Sequence, residues 1–290
     1  MRSFTSELVT AIVAIPAPGL VTGTCPMPAY SSVGASACAP LVVFEHGITT
    51  SKADVLMLAG SLAARGFVVA AIDSAMRGDR SYCSGSGATA QAQANQMCCP
   101  AALCGVASTC HFYPNLSSPV DVDASGNAIQ IGLCETAPGV RGQMLSHRQD
   151  NGAVPSPKGL AFASANRLLS LNFFRLRDAF RQDVVDESAL IKSMAPIGPP
   201  IPGAADAFAS YLRDKYGIAV DFTKVYFAGH SGGAISGTMT MAVNPRISRA
   251  VTYASGATFT DIATNPDSHF HATLASRSCR RAPARAPPTT

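Results

Sequence analysis

The run TKVYFA (223–228) passes directly into Gly229-His230-Ser231-Gly232-Gly233, and a small-residue helical pattern, GAISGTMTMA (233–242), starts at once. A chain goes from strand to helix this abruptly only through a sharp turn, and the G-x-S-x-G spacing supplies one. Gly229 and Gly233 carry no side chain, so strand and helix can approach closely. Such a turn holds Ser231 in a strained conformation with its hydroxyl exposed above the sheet. It also sets the serine at a helix N-terminus, where backbone N–H groups favour developing negative charge. Ser231 is therefore the candidate nucleophile. His230 is adjacent in sequence, but adjacent side chains at such a turn diverge, so His230 is read as a structural neighbour and not as the base.

The flanking pattern is that of an α/β fold with a mostly parallel sheet and helices on both faces. LVVFEH (41–46) and FVVAAI (67–72) are continuous apolar runs, and between them ADVLMLAGSLAAR (53–65) has helical apolar spacing and stops at Gly66. Two fully apolar strands joined by a helix predict a parallel pair covered on both sides. Residues 8–15 predict a first strand, 161–194 one or two amphipathic helices, 204–216 a further helix and 248–254 a last strand. The strand at 41–46 runs into His46-Gly47-Ile48. A His-Gly pair there would give the second half of an oxyanion hole, with the N–H groups of Ile48 and Gly232 as donors, Gly47 allowing the loop its path and His46 orienting it. Asp73, Arg77, Asp79 and Arg80 read as a salt-bridge cluster in the loop after the strand at 67–72.

Nine cysteines are present, and eight of them, 25, 38, 83, 98, 99, 104, 110 and 134, lie in one region. An even, dense set predicts disulfides and an exported protein, secreted or at the cell surface. A structural zinc site is the weaker reading because no CxxC pair exists, and unpaired core thiols do not suit this density. The connectivity stays open. Residues 80–157 hold six of the nine and show little periodicity, so they predict a disulfide-held insertion and a candidate lid. Asp121, Asp123, Ser125 and Asn127 suggest a turn in preference to a Ca²⁺ loop.

With 47% apolar and 14% charged residues the chain is not disordered as a whole, and no uncharged apolar run reaches the ~18 residues of a membrane span. Its net charge of +4 equals the four arginines of residues 277–290, leaving the rest neutral, which disfavours nucleic acid as a partner. The N-terminus has one arginine, then Glu7, and its apolar run is broken by Pro16 and Pro18, a poor signal peptide.

VVFEHGITT, the segment ending in AAIDSAMRGD, and VYFAGHSGGAISG together resemble an α/β-hydrolase, over about residues 40–257. With LLSLNFFRLRDAFRQDVVD the chain is similar, more narrowly, to the bacterial extracellular lipases that include virulence-associated and surface-exposed lipases. The resemblance implies a single hydrolase domain over 1–257 and carboxylester hydrolysis through an acyl-enzyme on Ser231. The substrate would be an ester or lipid, with peripheral lipid contact at most, and neither metal nor cofactor takes part. The family order is Ser, acid, His. After Ser231 the only acids are Asp261 and Asp267, and the only histidines His269 and His271. One expectation is that Asp261 and His271 or His269 complete a triad. The other is that residues 258–290 are a basic, disordered tail, that the later strands are missing, and that the chain is an inactive fragment or binding module. A peptidase or a polyester-cleaving hydrolase would use the same turn. Oligomeric state is left open.

Overall fold

The computed structural model describes residues 9–27, 37–48, 50–114, 122–123, 125–144, 173–195, 197, 207–256 and 265. Its strands are β1 (Ala11–Ala14), β2 (Ala37–Glu45), β3 (Val68–Ile72), β4 (Cys83–Ser86), β5 (Thr109–Phe112), β6 (Ile129–Ala137), β7 (Val140–Arg141), β8 (Ile218–His230) and β9 (Ile247–Tyr253). Its helices are α1 (Leu56–Ala63), α2 (Ala90–Asn95), α3 (Ala101–Cys104), α4 (Phe173–Met194), α5 (Ala207–Tyr216) and α6 (Gly232–Val243). Contacts divide the chain into two units, one of residues 1–80 with 177–255, the other of 81–176 with 256–290.

The first unit is a mixed five-stranded sheet in the order β1-β3-β2-β8-β9. β2, β3, β8 and β9 run parallel, and β1 is antiparallel to β3. Because side chains alternate along a strand, β2 and β3 present two apolar faces. Leu41, Val43, Val68 and Ala70 pack with Ile191 and Met194 of α4 and Leu212 of α5. Val42, Phe44, Val69 and Ala71 pack with Val55 and Ala59 at and within α1. Helices therefore cover both sides, as the two continuous apolar runs predict. Glu45 shares the parity of Leu41 and Val43, so a carboxylate enters the interior on the α4 side, where it is fully buried.

β8 begins five residues before the predicted 223. The reason is a bulge. Ala39 pairs with Val220 and Leu41 with Val225, so five steps on β8 oppose two on β2. Asp221 takes up the slack: its Oδ1 accepts from the Thr223 N–H at 2.9 Å, and Lys224 pairs with Oδ2 at 3.0 Å. An Asp closing a local turn on its own backbone hides a strand from a periodicity reading.

In the second unit, the stretch expected to lack regular structure is an antiparallel sheet of four strands, with β4 and β5 flanking β6 and β7 pairing with β6. Its core is sulfur-rich: Cys83, Cys98, Cys110, Cys134, Met97 and Met144 pack around Ala94. Four disulfides, Cys25–Cys38, Cys83–Cys110, Cys98–Cys134 and Cys99–Cys104, pair the eight cysteines of the dense region. Such pairing is consistent with an extracellular protein. Strands such as CSGS and TCHF have no apolar alternation to read, because buried half-cystines stand where aliphatic residues usually do. Among the described residues no helix is long and apolar enough to cross a membrane.

Candidate active site

Ser231 joins β8 to α6 with φ 54° and ψ −114°, a left-handed conformation that costs a non-glycine residue strain. Its own N–H donates to the Tyr253 carbonyl at the end of β9, 2.8 Å away, and its carbonyl accepts from Ala234 at 2.9 Å. The hydroxyl does not cap α6, and it makes no hydrogen bond among the described residues.

The sequence permits this turn through its glycines. A Cβ at Gly229 would lie 2.6 Å from the Gly233 carbonyl oxygen, and one at Gly233 would lie 2.2 Å from the Glu45 carbonyl oxygen. Both distances are well inside contact, so only glycine lets α6 sit on the ends of β8 and β2.

The Gly47–Ile48 loop lies against the same turn. A Cβ at Gly47 would be 3.4 Å from Ser231 Cβ, and one at Gly232 would be 3.0 Å from the Ile48 backbone nitrogen. Ser231, Gly232, Gly47 and Ile48 are thus together, and neither the Ile48 nor the Gly232 N–H donates to another group among the described residues. Two free N–H groups beside a strained serine can hold a negatively charged oxygen.

The histidines divide by role. His46 is fully buried. Ser74 donates its N–H to His46 Nε2 at 3.1 Å, so the proton sits on Nδ1, which donates to the Gly47 carbonyl at 2.8 Å. Both nitrogens are committed to holding the loop. The His230 ring stacks on Tyr253, with 5.6 Å between centroids and 19° between planes. Asp261, Asp267, His269 and His271 lie outside the described residues.

Sequence reading did not find the charged network behind the turn. Arg77 and Arg80, expected in a loop salt-bridge cluster with Asp73 and Asp79, are buried. Asp73 is buried with them and accepts from the Lys52 N–H at 2.8 Å and the Asp79 N–H at 3.0 Å. Arg80 pairs with Asp186 at 2.7 Å. Arg77 Nη2 pairs with Asp183 of α4 and, at 3.3 Å, with Glu45. Glu45 Oε1 also accepts from Ser236 and, at 3.2 Å, from Ser74. Burial, reinforced by the Asp183 charge, pushes the Glu45 carboxyl up to about 8. Burial and the Glu45 charge hold Glu187 well above the usual carboxylate range. Burial also raises Asp183, against the lowering pull of Arg77. One signal for this network was in the sequence: Asp183 and Glu187 are four residues apart and fall on the buried stripe of α4 with Leu176, Phe180 and Ile191. Acids on an apolar stripe require partners.

The described residues offer one metal-like grouping, the sulfurs of Cys83, Cys98 and Cys110 within 4.8 Å of one another. All three are half-cystines, with no thiolate to give a metal. Asp123 is committed to its own turn, accepting from Ser125 and Asn127 at 2.9 Å each.

No family model matches this chain, and no curated protein does. Among solved structures it is similar to a ferulic acid esterase from Streptomyces cinnamoneus, at 16% identity and a TM-score of 0.30, over 73% of this chain and 35% of that one. The chain therefore spans about a third of that structure's length.

Proposed function

We propose that the chain is an exported serine carboxylester hydrolase of the lipase and esterase kind, working on an ester or lipid substrate through an acyl-enzyme on Ser231. One observation carries this: a serine strained to φ 54° at a strand-to-helix turn, with the Gly47–Ile48 loop packed against it so that the Ile48 backbone nitrogen lies 3.0 Å from a Cβ position at Gly232. In the reaction, Ser231 Oγ attacks the ester carbonyl carbon while a histidine takes its proton. The carbonyl oxygen becomes an oxyanion held by the Ile48 and Gly232 N–H groups. The C–O bond to the alcohol then breaks, and the alcohol leaves with the histidine's proton. Water attacks the acyl-enzyme by the same route in reverse and releases the acid. His269 or His271, with Asp261, are the residues we assign to the base and acid. This assignment rests on the order of residues along the chain.

Covalent labelling by a fluorophosphonate tests the reading, since such probes need an activated serine. The unaltered chain is expected to label and Ser231→Ala is not. His269→Ala and His271→Ala tell which histidine is the base, because the one that matters lowers labelling as far as the serine variant does. A folded chain that does not label overturns the reading. A panel of p-nitrophenyl esters, triglycerides and peptides then separates ester hydrolysis from peptide cleavage on the same turn.

A further inference from the structure

Arg77 is fully buried, and its guanidinium is used on one side only. Nη2 holds Asp183 and Glu45, while Nη1 and Nε have no hydrogen-bond partner among the described residues. Phe180 lies under the guanidinium, its ring centroid 5.8 Å from Cζ. The unpartnered Nη1 lies against the turn after Ser231: a Cβ at Gly232 would stand 3.2 Å from it, 3.0 Å from the Ile48 backbone nitrogen and 2.5 Å from Ile48 Cγ1.

We propose that Arg77 is a positioning residue for the anion-holding turn: Asp183 and Glu45 hold its guanidinium from behind, so that the positive end of the ion pair faces the Gly232–Ile48 junction and favours negative charge there. The inference rests on the reading of Ser231 as nucleophile and adds to it an electrostatic support that the two N–H donors do not supply alone. Three features favour it. A charge in the dry interior acts over a longer range than one in water. A buried ion pair contributes little to stability compared with apolar residues of the same volume, so fold stability alone does not account for a bare Nη1 at this place. Glu45, pushed up to about 8 by burial, carries little charge near neutral pH, which leaves the Asp183 carboxylate on Nη2 as the main countercharge.

The test compares Arg77→Met/Asp183→Asn, which removes both charges and leaves no buried carboxylate uncompensated, with Asp183→Asn, which keeps the guanidinium. Losing a direct oxyanion donor costs roughly a hundredfold or more, so a charge acting through the turn is expected to cost roughly tenfold. The double variant should lose about that much in fluorophosphonate labelling rate, in kcat on a p-nitrophenyl ester and in affinity for an alkyl boronic acid that mimics the tetrahedral anion, with KM moved by less than about twofold. Asp183→Asn should label about tenfold faster than the double variant. A folded double variant that labels at the rate of the unaltered chain overturns the proposal. So does a folded Asp183→Asn that labels as slowly as the double variant, because the network would then act by structure and not by the Arg77 charge. An unaltered chain that fails to label, as Ser231→Ala does, overturns the nucleophile reading itself and the inference with it.

Discussion

The hydroxyl of Ser236 donates to Oε1 of Glu45, across a sequence separation of 191 residues. This bond ties the helix behind Ser231 to the strand whose loop carries Ile48, so the two backbone segments that meet at Ser231 share one support. Ser236 is fully buried. Ser236→Ala strips a donor from a buried carboxyl and should cost about 1–3 kcal/mol, a fall in Tm of several degrees in thermal denaturation. Thr238, two residues on and exposed, bonds only to the Ala234 carbonyl of its own helix. Thr238→Ala should move Tm by about a degree or less. Equal effects at the two positions would mean the Glu45 bond contributes nothing.

Glu45 gives the protein a pH dependence of definite sign. Its carboxyl titrates near 4.5 when unfolded and near 8 in the folded chain. Between those values the folded state holds the proton that the unfolded state has lost, so stability from this group is greatest below about 4.5 and falls as pH rises through the window. Glu45→Gln keeps an oxygen for Ser236, Ser74 and Arg77 and removes the titration. Its Tm relative to the unaltered chain should therefore rise from about pH 5 to about pH 8 and level off above that. A constant difference across that range would show that Glu45 does not hold its proton. Glu187, raised in the same direction, leaves a slope of the same sign in the variant.

What the sequence told and withheld follows from range. The turn at Ser231, the strands at β2 and β3 and helix α1 are local patterns, and each stands within a few residues of its expected place. The place of the Gly47–Ile48 loop was also legible, because it directly follows an apolar strand, and it lies against Ser231 and Gly232. The spacing of Asp183 and Glu187 on the apolar stripe of α4 showed that buried acids need partners, but Arg77, Glu45 and Ser236 meet Asp183 only through the packing of α4 and α6 on the sheet, which no spacing along the chain encodes. The disulfide connectivity was hidden for the same reason: Cys83–Cys110 and Cys98–Cys134 interleave in sequence.

Two glycine substitutions should have opposite signs. A Cβ at Gly233 meets the backbone carbonyl of Glu45 at 2.2 Å, and backbone cannot step aside as a side chain can. Gly233→Ala should force α6 off the sheet, cost about 3 kcal/mol or more, and abolish labelling at Ser231. Gly60 lies within α1 with nothing within 4 Å of its Cβ position. Gly60→Ala should stabilise by about 0.5–1 kcal/mol, because alanine loses less backbone freedom in a helix. Chemical denaturation of both variants checks the pair, and a stable, labelling Gly233→Ala would contradict the close approach on which the turn depends.

The disulfides of the second unit should differ in weight. Cys98–Cys134 closes a separation of 36 residues and Cys99–Cys104 one of 5. Loop-closure entropy alone assigns them about 4 and about 2 kcal/mol. Packing widens the gap, since Cys98 and Cys134 belong to the buried core with Met97 and Met144, whereas Cys104 does not. Cys98→Ala/Cys134→Ala removes both the cross-link and core volume, and β6 then loses its tie to the segment after α2. That double variant should be the less stable of the two by at least about 2 kcal/mol in guanidinium unfolding. Cys99→Ala/Cys104→Ala should keep the β4-β6-β5 sheet, with protected amides on β6 in hydrogen exchange. If instead the short loop proves the more costly to open, then the order of the second unit comes from α3 and its neighbours, and the long cross-link is not what holds the sheet.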